Sequence, residues 1–191
     1  MDYTLRNIAV FASGGGSGLQ AIINGCKSGR LKNARVCLVI SNNSNCHALQ
    51  RAKNSGIPAH CLLQEKSILE ALFEHKTHLI FLSGYLKKID VSILDSYKNR
   101  IYNIHPSLLP KYGGKGMYGI NVHKAVLEAG EVETGITIHR VNSEYDTGQI
   151  IAQQKIAILK GDTPEILAAR VLDKEHVFVI EILNKILEND V

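Results

Sequence analysis

Two polar side chains, Asn103 and His105, stand directly before Pro106 in a segment that reads Asn-Ile-His-Pro-Ser-Leu-Leu-Pro. Alternate side chains of an extended chain face the same way, so the carboxamide and the imidazole share one side. An amide donor beside an ionisable imidazole suits a carbonyl whose oxygen becomes negative under nucleophilic attack. Because proline cannot donate to a sheet ladder, we expect strand pairing to stop where these groups emerge. A turn whose polar residues cap each other is the alternative interpretation.

A second segment suited to binding is the glycine loop, Ser13 to Gly18, which separates an apolar run from a helical pattern. Unpaired amides at a helix start, together with the helix dipole, attract an anion. The dinucleotide fingerprint is absent because its third glycine would fall on Leu19, and no Gly-Lys-Ser/Thr sequence ends the loop. The segment therefore predicts a monophosphate site, and a plain strand-to-helix turn is the alternative.

The elements that must position these residues alternate between strand and helix patterns. Compact apolar runs predict strands at 7–12, 35–40, 57–62 and 78–83, the first of them a buried parallel strand. Apolar residues at helical spacing predict helices near 19–26, 46–54, 66–75 and 90–97. This alternation predicts an α/β fold: a single domain with a mainly parallel, twisted sheet and helices on both faces.

The remaining chain changes character after the central segment. Four glycines between Lys111 and Gly119 predict a mobile segment able to order over a substrate, with an idle surface loop as the alternative. Strand patterns at 135–141 and 149–156 are joined by Asn142 to Gly148, which is too short for a crossover helix, so these strands should be antiparallel. Helices are predicted near 120–129 and from about 162 to near Leu187.

Composition narrows the class of function. The 191 residues are 45% hydrophobic and 21% charged, as in one ordinary globular domain. The net charge of +4 comes from dispersed lysines and arginines, which favours small anionic substrates over nucleic acid or a membrane surface. No membrane-length apolar run is present and the Met1 to Thr4 start has no leader pattern, so we expect a cytoplasmic protein. We expect it to be a monomer or a homodimer. We predict no metal site, and buried, reduced thiols at Cys26, Cys37, Cys46 and Cys61.

Three segments resemble the glycinamide ribonucleotide formyltransferases, a folate-dependent formyltransferase family of purine synthesis. They are Ala12 to Ile23, Asn103 to Tyr112, and the stretch from Gly135 to His139 that continues to Asp146-Thr147-Gly148. The second is shared across the wider formyltransferase family and is highly specific for it. The resemblance implies a Rossmann-like formyltransferase fold, small-molecule substrates, 10-formyltetrahydrofolate as co-substrate and no metal. It also implies a phosphate-binding half to about residue 100 and a catalytic, folate-binding half from about residue 101.

The same resemblance assigns roles to individual residues. It makes Asn103, His105 and Asp146 catalytic: Asn103 and a protonated His105 would donate to the oxyanion, and Asp146 would raise the pKa of His105. The residues implied for glycinamide ribonucleotide are Gly16, Ser17, Gly18, Pro106 and Glu175. Those implied for the folate are Leu86, Lys87, Lys88, Ile89, Asn103, Asn142 and Glu144. Without the resemblance, Glu175 would be interpreted as a solvated helix residue.

The chain departs from the family pattern at three places. Gly18 stands where many relatives have Asn, which leaves the phosphate-binding amides but removes a side-chain donor. Lys87-Lys88 replaces an Arg followed by an aliphatic residue, and the Gly113 to Gly119 stretch is longer than the common loop.

Other functions are compatible with parts of the pattern. A hydrolase that removes formate from the same folate, or another 10-formyltetrahydrofolate-dependent formyltransferase such as the transfer-RNA enzyme, would need the same three catalytic residues. Such relatives usually carry an added domain, which we do not expect here. A catalytically silent nucleotide-binding module would keep the glycine loop without needing Asn103, His105 and Asp146 together.

Overall fold

The computed structural model describes residues 5–189, so the Met1 to Thr4 start lies outside the described residues. A seven-stranded sheet has the order β3-β2-β1-β4-β5-β6-β7. Its strands are β1 Arg6–Phe11, β2 Ala34–Ser41, β3 Ala59–Cys61, β4 Leu79–Leu82, β5 Ile101–His105, β6 Glu133–Arg140 and β7 Ile150–Ala157. The helices are α1 Ser17–Lys27, α2 His47–Asn54, α3 Glu65–Glu74, α4 Val91–Ser96, α5 Ile120–Glu128 and α6 Pro164–Asn189.

The pairing within the sheet confirms the predicted fold class. The first five strands in spatial order pair in parallel, whereas β5–β6 and β6–β7 pair antiparallel. Along β1, Ile8 and Val10 face one hydrophobic core while Ala9 and Phe11 face the other, as period-2 alternation requires. One core packs the sheet against α1, α2, α5 and α6, and the other packs it against α3 and α4. Burial on both faces explains why the parallel strands read as continuous apolar runs.

Strand pairing of β5 ends before Pro106, as predicted, although its two edges stop at different residues. Pairing with β4 does stop at Asn103, which lies opposite Leu82. Pairing with the antiparallel β6 continues through His105, which lies opposite Thr137. Proline lacks only its own N–H, and the residue before it favours extended geometry, so His105 can still complete the ladder on its other edge.

The strand order places the glycine loop beside the end of β4. Strands β1 and β4 are neighbours, β2 and β3 extend the sheet on one side, and β5 extends it on the other. The connections after β1 and β4 therefore diverge to opposite faces, and the crevice between them is the usual ligand site of an open α/β sheet. No helix within residues 5–189 combines the length and apolar composition that a membrane crossing requires.

The cysteine prediction holds only in part. All four are free thiols, and Cys37 and Cys46 are buried. Cys26 is half-buried and Cys61 is exposed, which contradicts the expectation for both. The cause at Cys61 is its position on β3, a three-residue edge strand that is largely exposed.

Candidate active site

A cleft of about 690 Å³ opens at this crevice and gathers every residue that the sequence singled out for binding or catalysis. Its walls include the glycine loop, the segment after β4, the end of β5 and the loop between β6 and β7. The singled-out residues along it are Gly16, Ser17, Gly18, Leu86, Lys87, Lys88, Ile89, Asn103, His105, Pro106, Asn142, Glu144, Asp146 and Glu175. No group of three or more potential metal-binding side chains occurs within the part of the chain that the structure describes.

Asn103 is held by two neighbours inside the cleft. Its Nδ2 lies 3.0 Å from Nε2 of His139 and 3.3 Å from Oδ1 of Asp146. The other ring nitrogen of His139 lies 2.8 Å from the Arg140 carbonyl oxygen. That oxygen can only accept a hydrogen bond, so His139 Nδ1 carries a proton. Nε2 of His139 also lies 3.4 Å from Oδ1 of Asp146, so the Asn103 carboxamide, His139 and Asp146 form one contact cluster.

His105 is buried, and its two nitrogens face different groups. Nε2 lies 2.7 Å from the Tyr112 carbonyl oxygen and therefore donates to it. Nδ1 lies 3.6 Å from Oδ2 of Asp146. Burial lowers the pKa of His105, and this outweighs the raising effects of the Asp146 charge and the Tyr112 hydrogen bond. The expectation of a raised pKa is therefore wrong in its net direction, although Asp146 does act in the predicted sense.

Asp146 connects the side chains predicted to be catalytic with the glycine-rich segment. Besides its contact with Asn103, its Oδ2 accepts a hydrogen bond of 2.9 Å from the Gly114 amide. Burial raises the pKa of Asp146, but its contact with His139, the His105 charge and the Gly114 bond outweigh burial, so the pKa lies below its ordinary value. Its backbone φ of 57° is in the left-handed region, which a non-glycine residue adopts rarely.

The glycine loop carries a helix start with unused amides. The first intrahelical bond runs from the Gln20 N–H to the Gly16 carbonyl, so the first-turn amides, including those of Ser17 and Gly18, have no partner within the helix. Gly16 has a φ of 71°, and a side chain there would lie 2.7 Å from the Ala48 backbone. Arg51 donates to the Gly15 carbonyl at 2.8 Å and holds the loop from outside. The loop can therefore present its amides to an anion without reorganising.

Glu175 lines the cleft from α6 rather than pointing into solvent. Desolvation raises its pKa to about 7, and no hydrogen bond from residues 5–189 compensates it. A carboxylate in this position is short of donors, which a hydroxyl-bearing ligand can supply. The interpretation of Glu175 as a solvated helix residue is therefore wrong.

The segment after β4 and the loop after β6 meet at the mouth of the cleft. Lys88 Nζ lies 3.2 Å from Glu144 Oε1, and the Tyr145 hydroxyl donates to the Leu86 carbonyl at 3.4 Å. Lys87 reaches the Leu63 carbonyl at 3.0 Å. The two lysines that replace the family's arginine and aliphatic residue therefore make contacts within the protein.

Two histidines of the cleft were missed by sequence reasoning. His139 lies directly opposite Asn103 in the β5–β6 ladder, a signal that needed the pairing of those strands to be predicted. His123 on α5 is buried, lines the cleft and has no partner for Nδ1 within the described chain. Burial and the nearby His105 lower the pKa of His123. Its signal was weak because one histidine on a helix is usually structural.

A family model described as formyl transferase matches residues 6–183. The chain belongs to the formyltransferase family. The match covers all seven strands and most of the helices, so this formyltransferase domain includes the whole cleft described above.

Two curated relatives and one solved structure similar to this formyltransferase domain are named for the same activity. It is 42% identical to the chloroplastic phosphoribosylglycinamide formyltransferase of Arabidopsis thaliana over 96% of the chain, and spans 66% of that relative's length. It is 35% identical to the phosphoribosylglycinamide formyltransferase of Escherichia coli, covering 89% of this chain and 82% of that one. The crystal structure of glycinamide ribonucleotide transformylase 1 from Symbiobacterium toebii superposes with a TM-score of 0.90 at 33% identity, covering 99% and 90% of the two chains.

Proposed function

We propose that this formyltransferase moves the formyl group of 10-formyltetrahydrofolate to the amine of glycinamide ribonucleotide, a step of purine synthesis. The observation that carries the proposal is the convergence in one cleft of an anion-binding helix start with the Asn103, His105 and Asp146 cluster. The names of the relatives that match most of this chain support the same activity.

The nucleotide substrate fits the side of the cleft that carries the glycine loop. The free amides of Ser17 and Gly18 suit a phosphate monoester at the start of α1. Glu175, which receives no hydrogen bond from residues 5–189, suits the hydroxyls of a ribose. Pro106 would then bound the substrate between this wall and the catalytic cluster.

The folate fits the side formed by the segment after β4 and the loop after β6. Leu86 and Ile89 contribute apolar lining, and Asn142 and Glu144 line the same cleft. The contact between Lys88 and Glu144 closes the outer end of this side. A planar ring system with polar edges matches such a lining, which is apolar with a few fixed polar groups.

The catalytic cluster suits addition of an amine to the formyl carbon. The negative oxygen that forms needs a donor, and Asn103 can supply one by giving up its 3.3 Å contact with Asp146, the longer of its two. His105 is neutral at pH 7 because burial lowers its pKa, so the Nδ1 lone pair can accept the proton that the amine loses. Asp146 then stabilises the imidazolium, which gives its proton to the leaving nitrogen as the bond between the formyl carbon and the folate nitrogen breaks. No Ser or Cys nucleophile takes part.

Hydrolysis of the same folate is the competing function, since water could replace the amine at the formyl carbon. The test is release of tetrahydrofolate by the purified protein, with and without glycinamide ribonucleotide, alongside the His105→Ala variant. We expect release that depends on the nucleotide, with formyl-glycinamide ribonucleotide produced in equal amount. Equal release with water alone would identify a hydrolase, and no release under either condition would reject formyl transfer altogether.

A further inference from the structure

Gly18 and Ser83 fit together in a way that the family pattern does not predict. A Cβ added to Gly18 would overlap the Ser83 hydroxyl oxygen, while it would lie 3.6 Å from Ser83 Cβ, an ordinary contact. The hydroxyl therefore fills the space that a side chain at position 18 would need. Both Gly18 and Ser83 line the cleft.

The backbone fixes Ser83 beside the glycine loop. Its N–H donates to the Phe11 carbonyl at 2.9 Å, and the next residue, Gly84, accepts from the Ser13 N–H at 3.0 Å. These bonds join the end of β4 to the start of the loop, so Ser83 cannot move away without breaking the β1–β4 ladder. Its hydroxyl makes no hydrogen bond to any residue between 5 and 189, although it stands at the first turn of α1. A free hydroxyl beside unpaired amides extends an anion site by one donor.

We propose that the Ser83 hydroxyl donates a hydrogen bond to the phosphate of the nucleotide substrate, and so replaces the side-chain donor that Gly18 lacks. This inference rests on the proposed function. The amides of Ser17 and Gly18 bind the phosphate at the N-terminal end of α1, and Ser83 adds a donor from the end of β4. Gly18 has a matching role, since only a residue without Cβ leaves the hydroxyl in place.

The two positions should therefore be coupled in binding. Ser83→Ala removes the donor, and a hydrogen bond to a charged group is typically worth about 10-fold or more in affinity. Gly18→Ala keeps the backbone amide and favours the helix, but its Cβ must push the Ser83 hydroxyl aside. Each single variant should then lose the same donor, and the double Ala variant should bind no more weakly than Ser83→Ala. If both residues acted independently, their effects would multiply.

Calorimetric titration with glycinamide ribonucleotide, and with the riboside that lacks the phosphate, tests this coupling. We expect Ser83→Ala to weaken nucleotide binding about 10-fold, with riboside binding changed less than about twofold. Gly18→Asn combined with Ser83→Ala should restore nucleotide affinity to within about threefold, because an amide side chain then occupies the vacated space. Ser92→Ala is the matched control, since the Ser92 hydroxyl also has no partner among the described residues but lies on α4 outside the cleft.

Each other outcome decides against a specific claim. If Ser83→Ala binds the nucleotide with wild-type affinity while the wild-type protein formylates it, the Ser83 hydroxyl does not contact the phosphate. The proposed function is unaffected by that result. Equal weakening for nucleotide and riboside assigns Ser83 a structural role and also overturns the proposal. Multiplicative effects of the two Ala substitutions overturn the role given to Gly18. Absence of nucleotide binding and formyl transfer in the wild-type protein rejects the proposed function itself.

Discussion

Replacing Glu175 by Gln should make the protein more stable at alkaline pH while weakening nucleotide binding. The pKa of Glu175 is raised from 4.5 to about 7 by desolvation. The folded protein therefore binds more protons than the unfolded chain between these values, so stability falls as pH rises from about 4.5 to about 7. The penalty is fully present above pH 7 and absent well below pH 4.5.

The magnitude follows from the size of the pKa shift. A pKa shift of about 2.5 units lowers the free energy of unfolding by about 3 kcal/mol at pH 8 and by about 1 kcal/mol at pH 5. Because Glu175 faces the cleft and its water, we expect the Gln variant to recover about half of this, between about 1 and 2 kcal/mol at pH 8. Its affinity for the nucleotide should fall about 10-fold, since an amide accepts ribose hydroxyls less strongly than a carboxylate.

Urea unfolding of the wild-type protein and the variant at pH 5 and pH 8 measures the stability term, and titration with the nucleotide measures binding. Glu181→Gln serves as the control, because Glu181 is an exposed residue of the same helix and its substitution should change stability by less than about 0.5 kcal/mol at either pH. A Glu175→Gln variant that is no more stable than wild type at pH 8 would refute the claim that this carboxylate is desolvated in the folded protein.

Three further perturbations address the catalytic cluster and the segments that hold it. Asp146→Asn should lower turnover by about 10²–10⁴ while leaving nucleotide affinity nearly unchanged, and should lower the His105 pKa further by NMR titration; near-normal turnover or an unchanged pKa would contradict the mechanism. Gly148→Ala should destabilise the protein by about 2 kcal/mol or more in urea unfolding, because the added Cβ would overlap the Arg140 carbonyl; wild-type stability would show that the loop can shift freely. Amide exchange in the Gly113 to Gly119 segment should slow when both substrates bind, and equal rates with and without them would count against a lid.

Local patterns predicted most of the architecture because the relevant physics is local. The apolar runs of the parallel strands and the period-2 alternation along β6 do not depend on which strands become neighbours. The short link between β6 and β7 likewise required antiparallel pairing. The antiparallel contact between β5 and β6 was missed because it joins segments about thirty residues apart, and no local signal specifies that pairing. His139 was missed for the same reason.

The electrostatics of the site could not be predicted because they depend on burial. For His105 the sequence indicated an acidic neighbour, Asp146, but gave no measure of how much water the fold excludes from the ring. Desolvation proved the larger effect there, and again at Glu175, whose helical position alone predicted exposure. The type of a side chain and its partner can be inferred from pattern, whereas the sign of a pKa shift needs the surrounding packing.

The protonation states of the catalytic cluster depend on the backbone of the glycine-rich segment. The Tyr112 carbonyl fixes the proton on His105 Nε2, and the Gly114 amide helps to keep Asp146 ionised. A side chain at Gly113 would lie 2.5 Å from Leu109 and 3.1 Å from Asp146, so the segment can approach the cluster this closely only with glycine there. If the segment opened, Asp146 would lose a donor and His105 would lose the acceptor that sets its tautomer. We therefore predict that closure of this segment over the substrates would at the same time prepare the proposed proton acceptor.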